Sequence, residues 1–142
     1  MINKQTSLIL LKTDTVERGN IWSVIKRFEN RWFKILGMKM IQLDENILKE
    51  HYFHVADKPF FWGIVKYMTR KPIVAMAIFW NNSVENIRTM VGATNPSEAL
   101  PWTIRWDFWF DFNTTVIHAS DSEKNAKREL NIFFKENEIF EY

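Results

Sequence analysis

The chain has 142 residues, 46% of them apolar, with nineteen basic and seventeen acidic side chains and a formal charge of +2. That length and apolar content predict a single domain over residues 1–142 whose core needs no disulfide or structural metal. With no cysteine, disulfides, thiol nucleophiles, iron–sulfur clusters and zinc–thiolate sites are excluded, which suits a reducing cytoplasm, and the charge is too mild to argue for nucleic acid by itself.

In chain order, Ser7–Leu11 reads as a buried strand; flanked by lysines and five residues long, it is too short to span a membrane, and no signal peptide is visible. Ile21, Val24, Ile25 and Phe28 recur at helical spacing. Residues 33–43 alternate as a second strand. Asp44 is placed to cap a helix through His51, with Leu48 and Tyr52 on one side, and Pro59 to open another carrying Phe60, Ile64 and Met68. Residues 72–80 are a continuous apolar strand, followed by a polar turn and a helix containing Val84, Ile87, Met90 and Val91. Residues 92–115 show no clean period, and a connection that long is usually functional. Val116 and Ile117 form a short strand, and Asp121 or Ser122 caps a last helix with Ala126, Leu130 and Phe133 inward.

This order contains a split βαβ arrangement and predicts an α+β, ferredoxin-like sandwich, a four-stranded antiparallel sheet covered by helices. The expected core is Leu8, Leu10, Ile25, Phe28, Ile35, Met38, Met40, Ile73, Ala75, Ala77, Ile87 and Ile117.

Neither a Walker-type nor a dinucleotide glycine motif is present, so phosphate binding has to come from side chains. The histidines at 51 and 54 read as partly exposed surface residues. His118 differs: small and hydroxyl residues follow it, just before a helix N-terminus that favours anions. From position alone a structural histidine is an equal alternative there. The cationic candidates are Lys12, Arg88 and Arg105. Lys12 and His118 are expected at the carboxyl ends of neighbouring strands, where a lysine and a nucleophilic histidine can handle a phosphoryl group. Tyr52 and Phe60 read more simply as core or groove aromatics.

The segments LLKTD (10–14), ERG (17–19), EHY (50–52), KPFF (58–61), GIVKYM (63–68), IR (87–88), GATNP (92–96), TIR (103–105) and IHASDS (117–122) together make the chain resemble the nucleoside diphosphate kinase family over about residues 7–134. The resemblance implies a ping-pong reaction in which His118 takes the γ-phosphoryl of a nucleoside triphosphate, usually ATP, and passes it to a nucleoside diphosphate. It also implies that Lys12, Tyr52, Arg88, Thr94 and Arg105 face the phosphates, and that Ser120 and Glu129 orient the histidine. Phe60 and Phe112 would stack the base with loose base choice. Mg²⁺ would be held mainly by the nucleotide phosphates, with Asp121 nearby but no direct protein ligand. A homo-oligomer, tetramer or hexamer, in the cytoplasm is implied, with neither membrane nor specific nucleic acid as partner. The alternative is a catalytically weak relative that binds nucleotides or nucleic acid.

Two family positions differ. Thr13 stands where proline is usual, and Thr115 stands where an asparagine contacts ribose and phosphate, which predicts a weakened ribose contact.

Seven tryptophans outnumber four glycines, whereas an average composition gives roughly ten glycines. Trp22, Trp32, Trp80, Trp102 and Trp106 fall where the family usually has glycine, and Trp109 where a small residue is common. Trp32 follows a helix end that favours a left-handed residue, and Trp80 is expected to enter a turn. The decoding hypothesis motivated by these coincidences is that UGA codons, read in the cell as glycine, are written here as tryptophan; UGG at these positions would end it. The alternative is real aromatic enrichment, serving an interface or a stacking surface.

Overall fold

Leu8, Ile9, Leu10 and Leu11 are all fully buried, which a strand achieves only when both faces of its sheet are covered. The computed structural model describes residues 3–111 and 114–142. Strands β1 (Lys4–Leu11), β2 (Lys34–Ile41), β3 (Ile73–Asn81) and β4 (Ile117–Ala119) form one sheet in the order β2-β3-β1-β4. Each neighbouring pair is antiparallel, the pattern of a ferredoxin-like α+β sandwich.

One face of β1 sends Ile9 and Leu11 against Val24, Ile25 and Phe28 of α2 (Ile21–Glu29) and Ile87 and Val91 of α5 (Ser83–Val91). The other sends Leu8 and Leu10 against Leu48 of α3 (Glu45–His51), Phe61 and Met68 of α4 (Phe61–Met68) and Phe133 of α7 (Glu123–Phe133). The period-2 pleat divides one apolar run between two cores.

Local chemistry starts and stops these helices as the sequence suggests. Asp44 caps α3 by accepting from the Ile47 amide at 2.9 Å, and Ser122 caps α7 by accepting from the Asn125 amide at 3.1 Å. Helix α5 ends at Gly92, with φ +89°, where a Cβ would lie 2.6 Å from the Thr103 hydroxyl oxygen. Only glycine meets both the left-handed backbone and that close approach.

Several expectations are corrected. Met38 and Met40 are exposed, not core, because edge strand β2 turns them to an uncovered face, and Ile35 is half-buried. Helix α4 begins at Phe61 rather than at Pro59, and Phe60 is exposed ahead of it. Residues 92–115 hold structure of their own: a 3₁₀ turn at Pro96–Glu98 and helix α6 (Ile104–Phe108). A short helix α1 (Thr13–Glu17) follows β1 directly. Threonine serves there at the first helical position, where the family's proline would also fit.

Of the six tryptophans at glycine-like positions, Trp32 and Trp102 take φ of 65° and 76° and are exposed. Trp22 lies within α2 and Trp106 within α6, while Trp80 lies inside β3, paired with Gln5, rather than in a turn. Trp109 has φ −64°, so backbone strain applies to two of the six. Among the described residues, no helix is long and apolar enough to cross a membrane.

Candidate active site

The antiparallel pairing of β1 with β4 brings the carboxyl end of β1 to the amino end of β4. Lys12, just past β1, donates its amide to the Val116 carbonyl at 2.9 Å, while His118 pairs with Leu10 in mid-strand. The expected side-by-side carboxyl ends are therefore corrected, because antiparallel strands set opposite ends together.

Between them Val116 takes φ 65°, and the Ile117 amide donates to the Thr115 carbonyl at 2.6 Å across it, closing a three-residue turn. A β-branched side chain in the left-handed region costs about 1–2 kcal/mol and persists where its surroundings over-determine it. Asp14 Oδ2 accepts from the Val116 amide at 3.1 Å. The Val116 carbonyl accepts from the Thr15 hydroxyl at 2.7 Å as well as from the Lys12 amide. Asp14, itself buried, accepts from the Tyr67 hydroxyl through its other oxygen. Burial first, and that hydrogen bond next, push the Tyr67 phenol far above its ordinary range, so it stays a donor.

The turn presents Thr115 to Lys12, whose Nζ donates to Thr115 Oγ1 at 2.6 Å. Arg105, buried in α6, donates from Nε to the Thr115 carbonyl at 3.1 Å, from Nη1 to the Gly92 carbonyl at 3.0 Å and from Nη2 to the Ile117 carbonyl at 2.8 Å. One guanidinium thus ties the end of α5, the strained turn and β4 together, and among the described residues its two remaining N–H groups have no hydrogen-bond acceptor. Burial, then the neighbouring Arg105 charge, lowers Lys12 to about 8, with Asp14 opposing. Burial, then the Arg88 charge, lowers Arg105 to about 10. Cations crowded and desolvated in this way are relieved by an anion. Burial raises the Tyr52 phenol to about 12, with the Glu129 charge adding and Arg105 opposing, which keeps its hydroxyl a donor.

His118 Nε2 lies 3.1 Å from Glu129 Oε2, and the same oxygen accepts from the Ser120 hydroxyl at 2.6 Å. Ser120 is anchored to β1, its Oγ accepting from the Leu8 amide at 3.1 Å. An ionised carboxylate only accepts, so Nε2 carries the hydrogen and Nδ1 keeps its lone pair. The His51, His118 and Glu129 donor atoms lie within 4.8 Å of one another. Tetrahedral bonds of about 2.1 Å need donor separations of about 3.4 Å, and Lys12 and Arg128 crowd the same corner with positive charge, so the trio does not fit a resident cation.

A histidine bonded to a buried carboxylate, beside desolvated cations, is the arrangement on which the comparisons with known proteins bear. The nucleoside diphosphate kinase family model matches residues 5–139. The chain belongs to that family. It is 44% identical over 142 residues to nucleoside diphosphate kinase A of Mus musculus, covering all of this chain and 93% of the relative. To nucleoside diphosphate kinase of Pyrococcus horikoshii it is 43% identical over 145 residues, covering all of this chain and 92% of the relative. The Halobacterium salinarum nucleoside diphosphate kinase, solved with CDP, superimposes with TM-score 0.93 at 34% identity over 99% of this chain and 93% of that one. A transition-state mimic of the Borrelia burgdorferi nucleoside diphosphate kinase, with vanadate and ADP, gives 0.91 at 34% identity over 98% and 92%. As a member of the family the chain is a nucleotide-binding phosphotransferase acting between nucleoside tri- and diphosphates.

Of the residues that the family resemblance singles out, the structure brings Lys12, Tyr52, Arg105, Thr115, His118, Ser120 and Glu129 into one cluster, and the Arg88 charge reaches Arg105. Arg88 and Asp121 are exposed and line one cleft. The Asp121 carboxyl is held below its usual range, first by a hydrogen bond from Asn125 and also by the Arg88 charge. Thr94 and Phe60 are exposed and, among the described residues, bond to none of the cluster. Phe112 lies outside the described residues. His51 is corrected outright: it is buried at 2% exposure, its ring centroid 4.7 Å from that of His118, because α3 packs on α7. Sequence reading also missed Asp14 and Tyr67, which hold the strained turn; an aspartate two residues after Lys12, at the end of an apolar strand, was the available signal.

Proposed function

We propose that this single domain of residues 1–142 transfers the γ-phosphoryl group by a ping-pong route through His118. The observation that carries the reading is the Nε2 contact to Glu129, itself bonded to Ser120, which leaves Nδ1 as the attacking lone pair. In the first half-reaction a bond forms between Nδ1 and the γ-phosphorus while the bond from that phosphorus to the β,γ-bridging oxygen breaks, and the electron pair leaves with the nucleoside diphosphate. The second half-reaction is the reverse, with an oxygen of a second diphosphate attacking the phosphorus and Nδ1 leaving.

The positive charge that grows on the imidazole is balanced by Glu129, and the equatorial oxygens meet Lys12, Arg88, Arg105, the Tyr52 hydroxyl and Thr94. Phe60 at the rim stacks the base, with Phe112 on its other side, and stacking without base-edge contacts leaves base choice loose. Thr115 supplies a short hydroxyl toward the ribose side, already engaged with Lys12. Mg²⁺ fits as a cation carried by the phosphates, since Asp121 offers one exposed carboxylate at the cleft edge. When bound, it neutralises phosphate charge. Assembly as a homo-tetramer or homo-hexamer in the cytoplasm completes the proposal.

Initial-rate kinetics with ATP and a second nucleoside diphosphate are expected to give the parallel lines of a ping-pong reaction. His118→Gln is expected to lower kcat by about four orders of magnitude or more with an unchanged fold. Intersecting lines, or activity within tenfold of wild type in that variant, would sink the proposal.

A further inference from the structure

Among the described residues, His51 is the one buried titratable group packed against His118 for which the transfer chemistry above has no use. It closes α3, and its ring meets three others edge-on: Tyr52 at 4.6 Å between centroids, His118 at 4.7 Å and Phe133 at 5.2 Å. Among the described residues neither of its ring nitrogens has a hydrogen-bond partner, although both are fully buried. A buried polar atom left without a partner costs about 1–3 kcal/mol, so a phenyl ring would fill the same slot at lower free energy. Burial, and next the His118, Arg128, Lys12 and His54 charges, lower the His51 imidazole to about 2. It is therefore uncharged wherever the enzyme works, with one N–H and one lone pair to offer.

An imidazole kept at the cost of stability beside a reacting group marks differential use. Interactions absent from the free enzyme but made once charge and mass move to the reacting centre lower the barrier, whereas interactions made equally in both states do not. We infer that His51 is a positioning residue of the phosphoryl transfer: its ring holds His118 edge-on, and its buried ring nitrogens, unpartnered among the described residues, take a partner once the neighbouring site is phosphorylated. The inference rests on His118 as the nucleophile. It assigns His51 no contact with substrate; it acts through the ring it abuts.

The test is single-turnover phosphorylation by ATP and Mg²⁺ of the full chain carrying His51→Phe, His51→Leu or His51→Gln, with thermal midpoints measured alongside. His51→Phe keeps the ring and removes the unpartnered nitrogens. It is expected to melt at or above the wild-type temperature, yet to form the phosphoenzyme at least about tenfold more slowly, with KM for nucleotide within about twofold. A structural role alone does not slow the enzyme while stabilising it. His51→Gln, which restores a polar side chain, is expected to phosphorylate at least about fivefold faster than His51→Leu, a comparison that stands even where the phenylalanine variant does not fold. Wild-type rates in His51→Phe, or equal rates in the glutamine and leucine variants, overturn the inference. Should the wild-type chain label on a residue other than His118, the nucleophile assignment fails first and this inference falls with it.

Discussion

Val116 and Trp102 share a positive φ, 65° and 76°, and little else. Val116 is fully buried at the turn before β4 and is held from three directions by Asp14, Thr15 and Lys12. Trp102 is 87% exposed on a surface turn, where the Arg27 guanidinium touches only its carbonyl, at 2.9 Å. Trp32, 78% exposed with φ 65°, is the same case after α2. The contrast separates two kinds of strain. At the turn of residues 115–117 the strained backbone is fixed by surrounding hydrogen bonds and presents Thr115 to Lys12. In the surface turns the backbone is an ordinary left-handed turn, and the strain comes from the side chain written into it.

The largest expected effect follows from cutting the clamp. Asp14→Ala leaves the buried Val116 amide and the Tyr67 hydroxyl without an acceptor and is expected to lower unfolding stability by about 2–4 kcal/mol in urea titration. Phosphoenzyme formation is expected to fall by about a hundredfold or more as the turn relaxes. Stability and rate within error of wild type would show that the clamp is not what holds the turn.

Placing glycine at the same φ is expected to have opposite signs in the two regions. Val116→Gly relieves about 1–2 kcal/mol of strain but gives up a fully buried valine, worth about 1.5–3 kcal/mol, and frees the turn; a net loss of about 1 kcal/mol and at least tenfold in kcat is expected. Trp32→Gly and Trp102→Gly lose no buried packing and are each expected to gain about 1 kcal/mol, seen as a rise of about 2–4 °C in thermal midpoint without change in kcat. The same sign at all three positions would erase the distinction. The decoding hypothesis makes glycine the residue that the cell inserts at 32 and 102, and the codons there test it directly.

The smallest effect is a pH dependence at the cationic edge. Lys12 is lowered to about 8 in the free protein, so above that pH nucleotide binding must restore a proton. KM is expected to rise by up to about tenfold per pH unit beyond 8, while kcat at saturation changes less. The sign for stability is opposite: between about pH 8 and 10.5 the unfolded chain binds a proton that the folded one lacks, so this group makes the free protein more stable as pH rises. A KM flat from pH 7 to 9.5 would remove Lys12 from the phosphate site.

The pattern of burial explains which of these features the sequence reveals. Capping side chains at Asp44 and Ser122, the paired apolar runs of β1 and β3, and the periods of α2, α5 and α7 are local signals, and they place the elements. The candidate site residues that stand in short motifs, Lys12 and His118 above all, are equally readable, and the family resemblance supplies Ser120 and Glu129. What escapes is set by contacts distant in sequence. His51 sits among polar neighbours and looks like a surface residue until α3 packs on α7. Asp14 gains its meaning from Val116, 102 residues away. Helices α1 and α6 have five residues each, too few to show a period. Met38 and Met40 alternate like core residues, but whether an edge strand is covered on a given face depends on what packs there.

Whether His118 carries the phosphoryl group is tested most directly by mass spectrometry, at non-acidic pH, of the tryptic peptide from Trp106 to Lys124 after exposure of the native protein to ATP and Mg²⁺. One phosphoryl group is expected on His118, discharged when a nucleoside diphosphate is added. An unmodified peptide, under conditions that label another member of the family, or a phosphoryl group on Ser120 instead, would contradict it.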